Sequence, residues 1–230
     1  MIATGIHHLA LTTKNMKAQI AFFSEVCGMD LMGLFWMHGA NGAFHCFLKL
    51  NDSSFLSFVQ TADMATKEFV SGVSHPANLM GGSAPGTMQH VCFNVGTQKE
   101  LLALRDRIRN AGYQVIGPVD HGISKSMYLN APENIIMEFA TCEDGKELTA
   151  DMWVDPKCAE LCGISPEELK SYMHPAPLAL TKGTEQMPKT PKLPLTLMPP
   201  PVLAEVLKMS DTELATKMNY TRAPNEKEVA

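Results

Sequence analysis

The sequence predicts an α+β fold in which two tandem βαβββ modules form curved mixed sheets around a cavity, followed by a Pro-rich, partly helical C-terminal extension. Three observations predict it. An order of strand, helix, strand, strand, strand occurs twice in the first 141 residues, each helix stopped by a Gly. Landmarks in the two halves correspond: IHHLALTT answers MQHVCFNV and SFLSFVQ answers IIMEFAT, with His8 to His90 a shift of 82 and Ser57 to Glu138 a shift of 81. After Cys142 the composition changes, and prolines replace the β-branched runs.

In the first module, residues 5–12 form a β-branched and apolar run suited to a strand. Asn15 begins an amphipathic helix with Met16, Ile20, Phe23 and Val26 at helical spacing, and Gly28 stops it. Runs at 29–36, 43–50 and 55–60 supply three strands divided by Gly, Asn, Asp and Ser. In the second module the strands fall at 89–95, 114–118, 126–130 and 135–140, and the helix at 99–110 ends at Gly112. A Gly-, Ser- and Pro-rich connection over 61–86 joins the modules. The paired domain thus spans 1–145, with modules at about 1–62 and 87–142, and the extension spans 146–230.

Strand parity assigns faces, because side chains alternate along a strand. Val91, Phe93 and Val95 point toward the helix of their module, which leaves His90, Cys92 and Asn94 on the concave side. The same phase puts Leu9 and Leu11 against the first helix and His8, rather than His7, on the concave side. Met137 and Phe139 take the helix face of the last strand, so Glu138 points inward. A carboxylate in an apolar strand is costly unless it is paired, hydrogen-bonded or bound to a cation. His8, His90 and Glu138 together make a 2-His-1-carboxylate set, which suits a non-haem Fe(II) or a related divalent ion. The alternative for each residue alone is a satisfied core histidine, with Glu138 paired to a Lys or Arg. The repeat and the parity tie the three together and favour the metal.

Composition excludes other partners. The 45% hydrophobic and 19% charged content is that of a globular protein, and the net charge of −5 offers no basic footprint for nucleic acid or an anionic membrane. No stretch has the apolar length of a membrane span, and the N-terminus does not read as a signal peptide. Six cysteines without CxxC spacing fit free thiols and a cytoplasmic location; Cys158 and Cys162 share a helix face but lack further soft ligands nearby. A small-molecule substrate is the expected partner.

The doubled module, the His opening each half and the Glu ending the second resemble the vicinal oxygen chelate superfamily, which includes glyoxalase I, bleomycin resistance proteins, epimerases and type I extradiol dioxygenases. The resemblance covers about residues 1–145. Val119, His121, Met127, Tyr128, Ala131, Pro132 and Glu138 match the ring-cleavage pattern of the extradiol enzymes. Asn134 stands where that pattern has Gly or Pro, and Asn also tolerates a positive φ. The resemblance implies that His8, His90 and Glu138 bind the metal, Fe(II) first with Mn, Zn or Ni as alternatives. It also implies that His121 and Tyr128 are catalytic, donating hydrogen bonds to bound oxygen or to the substrate. The function implied is an extradiol-type dioxygenase acting on a catechol-like or other vicinal-oxygen molecule.

Two alternatives belong to the same resemblance: a metal-dependent lyase, isomerase or epimerase, and a non-catalytic ligand-binding or resistance module. Ser57 stands where a glyoxalase-type lyase would carry a fourth, carboxylate ligand. The first module also lacks the acid-base His that ring-cleaving relatives carry near its last strand, and His45 is the nearest candidate. His38 and His75 read as loop residues, and His174 as exposed. In the extension, 155–161, 166–173 and 211–218 are helical candidates, the last two capped by Ser165 with Glu168 and Ser210 with Glu213. The prolines between them predict an extended arm whose leucines pack on the core or on a neighbouring subunit, in a homodimer or higher oligomer. The last ten residues are expected to fray.

Overall fold

The structure, a computed structural model, describes residues 3–183, 185 and 187–225; the end of the predicted fraying segment, 226–230, lies outside them. The first module comprises β1 (His8–Thr12), α1 (Met16–Ala21), β2 (Leu31–Trp36), β3 (Phe44–Asn51) and β4 (Ser54–Gln60). The second comprises β5 (Val91–Asn94), α2 (Gln98–Asn110), β6 (Ile116–Asp120), β7 (Lys125–Asn130) and β8 (Ile136–Thr141). Each module is a separate four-stranded mixed sheet, in the orders β1-β4-β3-β2 and β5-β8-β7-β6. In both, the first strand pairs parallel to the last, and the remaining pairs are antiparallel. The order in sequence is therefore βαβββ twice over.

The faces follow the predicted parity. Along β1 burial alternates, with Leu9 and Leu11 half-buried and His8, Ala10 and Thr12 exposed; along β5 Phe93 is buried while Cys92 and Asn94 are exposed. Leu56, Phe58, Met137 and Phe139 point into a core shared with both helices. That shared core joins the modules: the Phe22 ring lies 4.9 Å from that of Tyr113, and Arg107 Nη2 donates to the Glu25 carbonyl at 2.7 Å. The opposite, open face of each sheet is exposed at His8 and Cys92 but closed over at Ser57 and Glu138.

Asn15 caps α1 by accepting from the Ala18 N–H at 3.1 Å, which satisfies an end donor. The helix then widens into a π turn, Phe22–Val26, closed by the Cys27 N–H donating to the Phe22 carbonyl. This departs from the regular spacing read in the sequence. The wider turn lets adjacent Phe22 and Phe23 both bury, while Ile20 and Val26 stay half-buried. Burying one such ring contributes about 1.5–3 kcal/mol, so widening the turn is offset. In α2, Leu101 and Ile108 are two turns apart on the core face, and Arg107 and Arg109 sit where the helix dipole favours cations.

A second link between modules is made by the β7–β8 turn. Glu133 and Asn134 both have left-handed backbone, φ 60 and 59, which answers the Asn134 expectation. Glu133 accepts from Thr13 Oγ1 at 2.5 Å, from the Lys14 N–H at 2.9 Å and from Gln19 Nε2 at 2.7 Å. These bonds hold the strained turn against the start of α1.

The extension carries α3 (Ala150–Trp153), α4 (Pro156–Leu161), α5 (Pro166–Met173), α6 (Pro200–Val206) and α7 (Asp211–Lys217). Both predicted capping boxes are present. The helix α6 replaces part of the predicted extended arm, because prolines in a first helical turn lack only an N–H that needs no partner there. Leu180, Leu193 and Leu197 are exposed on this single chain. No helix among the described residues is long and apolar enough to cross a membrane.

Candidate metal centre

Glu138 lies on β8, the strand between β5 and β7, with Cys92 and Tyr128 as its register partners on either side. Its position on the open face nevertheless leaves it only 7% exposed, because neighbouring side chains close over it. The Oε2 atom is 2.9 Å from His90 Nε2. Among the described residues, no Lys or Arg forms an ion pair with Glu138; its partner is the ring nitrogen of His90. The sequence's alternative, a Lys or Arg partner, is not what the fold provides.

The hydrogen-bonding role of His90 Nδ1 follows from its other neighbour. Gln89 Nε2 donates to the Leu79 carbonyl at 3.0 Å, which orients the amide so that Oε1 meets His90 Nδ1. Nδ1 therefore donates, and the Nε2 facing Glu138 holds either a second proton or a lone pair. A lone pair there leaves the 2.9 Å contact to be bridged by a proton on the carboxyl or by a cation between the two atoms. An Nδ1–H donated outward, with Nε2 aimed inward beside a carboxylate, is how metal-binding histidines are oriented. Two ligand atoms about 2.1 Å from one ion at right angles are about 3.0 Å apart, so the pair fits a divalent metal.

Beside this pair, His121 Nε2 and Tyr128 Oη are 2.8 Å apart, and the Tyr128 ring centre is 6.4 Å from that of His90. Burial first, and then the Glu138 charge, raise the Tyr128 phenol above its ordinary value, so it stays protonated and able to donate. His121 is exposed on the β6–β7 turn. That turn is held by the extension: the Lys146 N–H donates to the Gly122 carbonyl at 2.8 Å, and the Trp153 ring packs over Gly122. The thiol of Cys92 is pushed up to about 12 by desolvation and then by Glu138, which makes it a poor nucleophile.

His8 lies elsewhere, on the open face of the first sheet. Its ring is 5.4 Å from Phe47 and 6.5 Å from His45, and its Nδ1 is 2.9 Å from His7 Nδ1. Among the described residues, no three His, Cys, Asp or Glu side chains are grouped to hold a metal ion. The fold thus brings His90 to Glu138 and His121 to Tyr128, and leaves His8 apart from both.

His45 shares the open face with His8, which the sequence left undecided. Its Nε2 is 2.5 Å from the Oγ of Ser57, a fully buried residue, and burial followed by the His8 charge lowers its pKa. Gln89 is the polar residue that sequence reasoning did not place at a site, and the bond of Ser57 to His45 was not read there either. The signal available was parity, which puts Ser57 on the face of Ala10. Of the remaining histidines, His38 stacks on Tyr220 with ring centres 3.7 Å apart, and His75 meets Phe69 and Ser74.

The sequence model of the Glyoxalase/Bleomycin resistance protein/Dioxygenase superfamily matches residues 5–144. The chain belongs to this superfamily. Among solved structures, a glyoxalase/bleomycin resistance protein/dioxygenase domain from Frankia sp. EAN1pec is similar at 15% identity with a TM-score of 0.50, over 63% of this chain and 96% of that one. A glyoxalase family protein from Enterococcus faecalis is similar at 21% identity and a TM-score of 0.45, over 61% of this chain and 99% of the other. An antibiotic binding protein, TnmS3 from Streptomyces sp. CB03234, is similar at 12% identity and a TM-score of 0.43, over 62% and 99%. No curated protein matches the chain significantly. At these identities the likeness to the Frankia domain shows the fold alone. The superfamily's enzymes and resistance proteins share that fold, so function rests on the site.

Proposed function

We propose that this superfamily member is a divalent-metal enzyme, an extradiol-type dioxygenase that uses Fe(II) on a catechol-like or other vicinal-oxygen small molecule. The observation that carries the reading is the His90–Glu138 pair, with Nε2 and Oε2 2.9 Å apart beside the Tyr128–His121 pair. His90 and Glu138 would hold the metal from the second module. Bound there, Fe(II) would supply open positions for substrate oxygens and dioxygen. Tyr128, kept protonated, donates to the substrate oxygen nearest it. His121 exchanges that proton with solvent, since it is exposed and within hydrogen-bond reach.

The third ligand, His8, comes from a second copy of the chain in this reading. Each copy presents one open face bearing His8 and another bearing His90 and Glu138, so a two-fold dimer that joins unlike faces completes two equal sites. The test is complementation. His8→Ala and Glu138→Ala homodimers each lose bound metal. A refolded equal mixture regains about a quarter of it, because half the dimers are mixed and each has one intact site. No recovery would sink the shared site, and no stoichiometric metal in the wild type would sink the enzyme reading.

One observation favours a second reading. Because His8 stands apart in the single chain, a metal-free ligand-binding module needs no further assembly, and metal stoichiometry separates the two. The lyase alternative is less well supported. Ser57, fully buried and bonded to His45, stands where such an enzyme would need a carboxylate ligand. Oxygen uptake with catechols after anaerobic Fe(II) loading separates the dioxygenase from the lyase.

A further inference from the structure

The connection between the modules forms a cleft with the open face of the second sheet. Its volume is about 810 Å³, within the range of about 300–1,000 Å³ usual for small-molecule sites. Phe69 and Leu79 come from the connection, and Ile136, Asn130 and Tyr128 from the sheet. Tyr128 also touches the His90–Glu138–His121 cluster, so the cleft opens onto the candidate metal centre. The connection is tied down beside it by the Gln89 side-chain bond to the Leu79 carbonyl.

The chemistry of the lining is specific. None of the residues lining the cleft carries a charge. Its polar groups are carboxamides, Asn78, Gln114 and Asn130 among them, and the hydroxyls of Ser71, Tyr113 and Tyr128, set between apolar side chains. Carboxamides donate and accept, so they suit neutral hydroxyl, carbonyl or amide groups. A carboxylate or phosphate placed there would lose water without gaining a cation.

We propose that this cleft selects an uncharged, apolar-bodied ligand and rejects its anionic analogues. The occupant extends from Tyr128 under the connection, with its apolar part against Leu79 and Ile136 and neutral polar groups on the carboxamides. The cleft stands on its lining alone. That its occupant is the substrate, an uncharged aromatic diol, rests on the metal-enzyme reading above.

The experiment measures binding without turnover. The full chain, stripped of metal by chelation, is titrated calorimetrically with 4-phenylcatechol and with the same molecule bearing a carboxylate on its distal ring. The neutral probe is expected to bind at least about tenfold more tightly. Asn130→Lys is expected to reverse that preference by supplying the missing cation, and Asn78→Lys serves where the first variant does not fold. Equal or tighter binding of the carboxylated probe to the wild type, no binding of either, or an unchanged preference in a folded lysine variant overturns the proposal. The metal content of the wild type separates the two readings: a preserved preference in a protein that holds no stoichiometric metal supports the cleft and removes the enzyme. Stoichiometric metal with no preference removes the cleft and keeps the enzyme.

Discussion

His90 Nε2 and Glu138 Oε2 are 2.9 Å apart, while the other nitrogen of the same ring is engaged by Gln89. The pair is therefore complete only with a proton or a cation between its two atoms. Glu138→Gln removes the charge at constant shape. At a hundredfold excess over Kd, a divalent ion is expected to stabilise the wild type by about 2.7 kcal/mol and the variant not at all. Thermal unfolding with and without Mn(II) checks this, and an equal shift in both proteins would place the metal elsewhere.

Tyr128→Phe keeps the ring and removes the donor. The expected loss in kcat is about a hundredfold, with metal content unchanged, because only proton transfer is removed. His121→Asn should lower kcat as well, because the path from Tyr128 to solvent is lost. Steady-state oxygen uptake reads both, and a change confined to KM would make these residues binding groups only.

Glu133 answers for the union of the modules. Glu133→Ala leaves the buried Gln19 amide without its 2.7 Å acceptor and frees Thr13 and the Lys14 N–H. A loss of about 2–3 kcal/mol is expected in urea unfolding, and a smaller one for Glu133→Gln, which keeps an acceptor. Equal losses would assign the effect to the negative charge, which both variants lack.

The pKa of His45 is lowered in the folded chain by burial and then by His8. The unfolded chain therefore binds the proton more readily, and stability falls as pH drops below the ordinary value of 6.5. His45→Gln keeps a group that can meet Ser57 but does not titrate. Its unfolding temperature should depend less on pH than that of the wild type between about pH 7 and about pH 5. Parallel curves would show that other histidines carry the effect.

Much of the fold was legible in the sequence, because its signals are local. Period-2 alternation put His8, His90 and Glu138 on open faces, and both Ser-x-x-Glu boxes cap the helices they precede. Less local features were missed for identifiable reasons. The π turn in α1 answers to two phenylalanines competing for one core, and α6 forms because its prolines fall in a first turn.

By itself, the sequence determined the two modules, the side of each strand that faces the helices and the residue types that could hold a metal. Those follow from backbone geometry, which repeats every two or 3.6 residues whatever lies across the molecule. Only the tertiary structure decided that His90 meets Glu138 while His8 does not, that His45 shares the face of His8, and that the connection builds a cleft beside Tyr128. The physical reason is that the modules dock through their helix faces, by Phe22 on Tyr113 and Glu133 on Gln19. That docking leaves His8 on one face and the His90–Glu138 pair on another.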